Sequence, residues 1–203
     1  MFYRAIDWEI HKGTNPVKKI KFFREESRIQ ALSAEEVERI LVSAKKIAAQ
    51  AKSPLQKAFP DLIRLALNTG LRKAEILNLR WKNVKGDEIK VHGKGDRTRM
   101  VPLNQAAAAI IGRQPKTTEY VFDIPNRTQP SLFLRTIYQI KKQTGIPFHF
   151  HLLRHYFATS LLERAVDIVT IAAILGHSKM MTSLLYSHTD KEKRRRRSGR
   201  FEP

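Results

Sequence analysis

His151-Leu152-Leu153-Arg154-His155 is the stretch from which the rest of the chain is read. His151 and Arg154 stand three residues apart, so on a helix they project from one face. Tyr156, Phe157, Leu161 and Leu162 continue an apolar stripe at helical spacing, and the pattern predicts a helix over 149–165. Ahead of it lies Arg72, in Thr69-Gly70-Leu71-Arg72; behind it come Gly176-His177 and Tyr186. Arginine offers a planar fork of donors that matches phosphate oxygens, histidine moves protons near neutral pH, and tyrosine carries a hydroxyl able to act as a nucleophile. Together these residue types suggest chemistry on a phosphate. Taken alone, the His-x-x-Arg pair also fits an ordinary helix surface.

Composition narrows the partner. Of 203 residues, 42% are hydrophobic, enough for a real core. Lys and Arg number 38 against 19 acidic residues, a formal net charge of +19, which points to a polyanion. A structural RNA-binding protein would share that charge without needing the arginine, histidine and tyrosine set. Cysteine is absent, which argues against disulfides and thiolate zinc sites. No apolar run approaches membrane-spanning length and no signal-peptide pattern opens the chain, so the expectation is a soluble, cytoplasmic protein.

Residues 1–32 read as a linker, broken at Gly13, Asn15 and Pro16 and basic from Val17 to Arg28. Ser33-Ala34-Glu35-Glu36 is a capping box opening a helix with Val37, Ile40, Leu41, Ala44, Ile47 and Ala48 on one side. A second helix, expected from near Pro60, is apolar almost all round and ends at Gly70. Arg72 then stands at the mouth of a short helix holding Glu75, one turn on and its natural ion-pair partner. A structural pair on a surface turn would look the same.

Between residues 87 and 103 the period changes to two. Glu88-Ile89-Lys90-Val91-His92 and Arg97-Thr98-Arg99-Met100-Val101 read as a hairpin, with Lys94 at its tip between two glycines. Further helices are expected over 104–111, 132–144, through Ile168 to Leu175, and over 180–188 around Tyr186; a brief strand is expected at Tyr120 to Phe122. Residues 191–203 form a basic tail. The fold class is mainly α with one small antiparallel β-sheet.

The ordered set of motifs resembles the tyrosine recombinases, the phage-integrase type of site-specific DNA recombinase. It rests on Thr69-Gly70-Leu71-Arg72-Lys73-Ala74-Glu75-Ile76, on Gly93-Lys94-Gly95 followed by Arg99-Met100-Val101-Pro102-Leu103, on His151 to His155, on Leu175-Gly176-His177-Ser178 and on Tyr186-Ser187-His188. The resemblance implies a catalytic domain over 33–190 that cleaves and rejoins DNA strands through a 3′-phosphotyrosyl link, with no cofactor, metal or ATP. It implies Tyr186 as nucleophile, Arg72 and Arg154 on the non-bridging oxygens, and Lys94 as acid to the leaving 5′-oxygen. His151 would be the base, His177 a donor to the phosphate and Glu75 a support for the arginines. Lys73, Arg97, Arg99 and His155 are candidate DNA contacts; His149 and His155 also suit packing beside the site, and His188 is unassigned. Expected partners are double-stranded DNA and, on DNA, further copies of the chain (a tetrameric synapse in the family), with a monomer when alone.

The chain departs from the family pattern in places. Only about thirty residues precede Ser33, too few for the usual core-binding domain, which suggests a catalytic piece, a truncated element or a minimal enzyme. Ala165 stands where glycine is common, and Leu185 where arginine is frequent. Two other functions share the motifs: type IB topoisomerase-like relaxation, and a non-catalytic DNA-binding remnant occupying recombination sites.

Overall fold

The structure is a computed structural model that describes Trp8, Ile10 and residues 32–92, 98–125 and 130–176. The chain divides into two units, Met1–Gln30 and Ala31–Pro203, and the described helices, the sheet and the candidate site belong to the second.

Helix α1, Ala34–Gln50, starts where the capping box places it. The Glu36 amide donates to the Ser33 hydroxyl and the Ser33 amide donates to the Glu36 carboxylate. Val37, Ile40, Leu41, Ala44 and Ile47 are buried along one side, while Ala48 at its end is half-buried. Helix α2, Pro54–Thr69, begins six residues before the expected start, because Pro54 sits in its first turn, where a missing N–H costs nothing. Pro60 lies inside the helix and is buried. It gives up one helical hydrogen bond to Gln56, a loss offset by burial among apolar neighbours.

Helix α3, Lys73–Leu77, leads through a short 3₁₀ turn, Trp81–Asn83, into a three-stranded sheet. Its strands are β1, Val84–Lys85, β2, Glu88–His92, and β3, Thr98–Pro102, paired antiparallel in that order. The hairpin is as read from the alternation, with Ile89 opposite Val101 and Val91 opposite Arg99. Strand β1 leaves no signal in the sequence, since two residues are too few to show a period. The strand expected at Tyr120 to Phe122 is instead a single bridge between Tyr120 and Arg80, with Val121 and Phe122 buried as part of the core.

Four more helices complete the described part: α4, Gln105–Gly112; α5, Pro130–Thr144; α6, His151–Glu163; and α7, Ile168–Leu175. Helix α6 is shorter at both ends than the sequence predicts. Its far end turns through Ala165 at φ 61°, a left-handed conformation that a side chain disfavours by about 1 kcal/mol. The residues from 180 to 188 lie outside the described set. Among the described residues no helix is long and apolar enough to cross a membrane.

Helix α2 is the centre of the domain, packed by α1, α4 and α6. Phe59, Leu62, Ile63, Leu65 and Ala66 are fully buried along it. Phe59 meets Phe133 and Phe150 with ring centroids 5.0 and 6.4 Å away, tying α2 to α5 and to the entry of α6. That packing fixes where α2 ends and α6 begins, and the candidate site lies between those two points.

Gly70 closes α2 at φ 64°, its amide donating to Ala66 at 2.9 Å. A Cβ there would stand 2.5 Å from Phe157 Cδ1 and 2.6 Å from Leu175 Cδ2. Both the backbone conformation and the close approach of α6 and α7 therefore demand glycine. Gly70→Ala should lower stability by about 3 kcal/mol, from left-handed strain plus overpacking. Urea unfolding checks this, and a loss under about 0.5 kcal/mol would show that the crossing is loose.

Candidate active site

Arg72, His151 and Arg154 line one open cavity of about 230 Å³, together with Leu71, Lys73, Ala74 and Phe150. Arg72 is the residue on which α3 opens, and His151 begins α6. The cavity thus sits at two helix N-termini, whose aligned backbone dipoles add positive potential to that of the side chains.

Arg154 is 1% exposed, and it is held rather than merely buried. Its Nη1 donates to the Gly70 carbonyl at 2.8 Å and its Nη2 to the Leu175 carbonyl. Those are the carbonyls at the C-terminal ends of α2 and α7, where partial negative charge collects. A single guanidinium therefore ties three helices to the wall of the cavity. Packing forced this arrangement: α6 buries Leu153, Phe157 and Ala158, and Arg154 shares their side of the helix.

Arg72 is held differently. Its backbone N–H and its Nη1 donate to the two oxygens of Glu75, at 2.7 and 2.9 Å, and its side chain is 41% exposed. Glu75 is itself enclosed. Burial pushes its pKa up, but hydrogen bonds and charge from Arg99, with the Arg72 amide and guanidinium, outweigh that and hold the carboxyl below its ordinary range. Glu75 is therefore an anion at neutral pH that faces two arginines.

The His151 ring meets the His155 ring edge-on, centroids 4.6 Å apart. Its pKa is lowered, first by burial and then by the nearby positive charges of Arg154, His149 and Arg72. At neutral pH the imidazole is neutral and free to accept a proton. His149 is shifted the same way, by burial and by Lys141. Lys73 reaches the cavity edge with its Nζ over the Phe133 ring, 4.9 Å from the centroid.

Of the residues singled out from sequence, the structure thus gathers Arg72, Glu75, Lys73, His151, Arg154 and His155. Lys94, Arg97, His177 and Tyr186 lie outside the described residues. Arg99 is placed by its partners. A candidate DNA contact from the sequence, it is turned inward with its side chain 11% exposed, and donates to Glu75 and to Ile174. The signal was present in the alternation of β3, which puts Arg99 on the same face as buried Val101 and opposite buried Val91.

The phage integrase family model matches residues 30–193, and the chain belongs to that family, the tyrosine recombinases. The tyrosine recombinase XerD of Staphylococcus aureus is 32% identical over 160 residues, covering 70% of this chain and 54% of its own length. The post-cleavage complex of the XerH site-specific recombinase bound to palindromic difH substrate matches with a TM-score of 0.64 and 26% identity. It covers 83% of this chain and 52% of its own. The catalytic domain of bacteriophage HP1 integrase shares the fold, with a TM-score of 0.61 at 21% identity over 78% of this chain and 86% of its own. The chain spans about half the length of XerD and XerH.

Proposed function

We propose that residues 33–190 form the catalytic domain of a site-specific DNA recombinase, an integrase that cleaves and rejoins strands of double-stranded DNA through a 3′-phosphotyrosyl intermediate. The observation that carries the reading is the single cavity lined by Arg72, His151 and Arg154, residues up to 82 positions apart in the chain, in a member of this family.

In the cleavage step, the Tyr186 hydroxyl attacks phosphorus and a new P–O bond to tyrosine forms as the P–O5′ bond breaks. His151 takes the phenolic proton and Lys94 supplies one to the departing 5′-oxygen. Arg72 and Arg154 meet the charge that builds on the non-bridging oxygens, with His177 as a further donor. Rejoining runs the step backwards from a 5′-hydroxyl. The bond energy stays in the phosphotyrosine, so neither ATP nor a metal enters the balance. A phenol, with a reference pKa near 10, attacks poorly unaided, which is why a neutral base beside a cationic cradle matters.

The charge of +19 supports duplex DNA as partner through its phosphates. The first 32 residues serve as the connection to the rest of such an enzyme and residues 191–203 as a basic tail. We read the chain as a monomer alone that assembles on DNA.

The test is covalent capture on a nicked suicide duplex, with the trapped protein mapped to the 3′ side of the cleaved phosphate. A 5′-linked adduct, or none from any duplex in a randomised pool, would sink the reading. The pH profile of capture probes His151 directly. Its lowered pKa moves protonation of the base to lower pH than for an ordinary histidine, so at subsaturating DNA the acid limb should fall below about pH 6.5. The stability linkage has the matching sign: the unfolded chain binds the proton more readily, so folding loses stability as pH drops below histidine's unfolded value. An acid limb above 7 would rule His151 out as the base.

A further inference from the structure

We propose that Arg99 is a positioning residue, not a DNA contact: it locks Glu75 so that Arg72 is held in place, and fastens the end of α7 and strand β3 to the same carboxylate. This rests on the recombinase reading and extends it to a residue outside the cavity.

The geometry is specific. Arg99 Nη1 and Nη2 donate to the two oxygens of Glu75 at 3.0 and 2.8 Å, a fork on a fork. Its Nε donates to the Ile174 carbonyl at 2.7 Å, in the last turn of α7. Glu75 in turn accepts the Arg72 amide and Arg72 Nη1. Arg99, Glu75 and Arg72 therefore form a continuous hydrogen-bonded chain running from the sheet to the cavity wall. Gly176 confirms how tightly Arg99 is seated. A Cβ at that position would lie 2.9 Å from Arg99 Cδ and 3.2 Å from its Nε, and the backbone there has φ 64°.

Arg99 also joins segments that sequence links to the other proposed catalytic groups. Strand β3 follows Lys94 by four residues in the sequence, and Gly176 immediately precedes His177. One guanidinium thus bears on α3, α7 and the hairpin together. Lysine cannot replace it, because an ammonium lacks the planar fork that meets a carboxylate and a carbonyl at once.

The experiment compares duplex binding with covalent capture in the full chain, on a nicked duplex that the wild type selects from a randomised pool. In a Tyr186→Phe background, Arg99→Met should bind that duplex within about twofold of Tyr186→Phe alone. The slope of log affinity against log salt should stay unchanged, whereas a lost phosphate contact lowers it by about 0.9. Capture at saturating duplex should fall about a hundredfold, the scale of a misplaced catalytic group. Arg99→Lys, which keeps the charge and loses the fork, should stay at least about tenfold below wild type.

In a Glu75→Gln background, Arg99→Met should cost less than about threefold more, since residues acting through one another are not additive. Thermal melts identify a variant that fails to fold, in which case Arg99→Lys carries the same cycle. A smaller salt slope with normal saturating capture would make Arg99 a phosphate contact and overturn the proposal, as would fully multiplicative losses with Glu75→Gln. A wild type that captures no duplex defeats the recombinase reading itself, before any variant is compared, and the positioning role falls with it.

Discussion

Tyr186→Phe should abolish covalent capture of a nicked suicide duplex, by roughly ten-thousandfold or more, while leaving duplex binding almost intact. The ring is kept and only the hydroxyl goes, so neither charge nor packing changes appreciably. No other group in the proposed mechanism can form the ester to phosphorus. Binding rests instead on the positive charge of the folded domain, and affinity should fall steeply, by roughly a thousandfold, as salt rises from low to physiological concentration. Deleting the chain from Lys191 onward should weaken binding only in part, because the tail is a run of charge and not the cavity. Gel analysis of the denatured adduct reads the first effect and salt-dependent binding the second. Should Tyr186→Phe still yield an adduct, the nucleophile is another residue, and Tyr156, on the same helix as Arg154, is the next to replace.

Replacing Arg154 should damage both fold and chemistry. In Arg154→Met the carbonyls of Gly70 and Leu175 lose their donors inside the protein, and the three helices meeting there lose their common tie. Leaving two buried acceptors unpaired costs about 3 kcal/mol. For a chain of this length that lowers the melting temperature by roughly 10 °C. Capture should fall about a thousandfold even at temperatures where the variant is folded, since a preorganised donor to the phosphate oxygens is gone. Arg154→Lys separates the two roles. It keeps a charge and one donor direction, so it should recover part of the stability and little of the capture. If Arg154→Met melted like wild type and captured normally, the central place given to this guanidinium would be wrong.

Much of the architecture was open to reading from short windows of sequence, because the forces involved act over short windows. The Ser33 to Glu36 capping box sets the start of α1 through hydrogen bonds within one turn. Gly70 and Gly176 end helices because a left-handed residue is needed where each helix stops. The two-residue period of 88–92 and 98–101 shows the hairpin, since alternate side chains face opposite sides of a sheet. The same windows misplace the start of α2, because Pro60 inside a helix is tolerated only when burial compensates for the lost bond.

What the sequence could not settle is which distant groups meet. Motif order suggested that Arg72, Arg154 and His151 belong to one site, but only the packing of α6 against α2 brings them to one cavity. Arg154 is buried where two carbonyls supplied by other helices accept from its guanidinium, and a charge is stable in the interior when it is hydrogen-bonded in this way. Arg99 shows the limit most clearly. The sequence made it a candidate DNA contact, while its phase with Val101 in the folded strand puts it on the inner face. The buried carboxylate of Glu75, 24 residues away, holds it inward, because a guanidinium turned inward without a partner would have stayed in water.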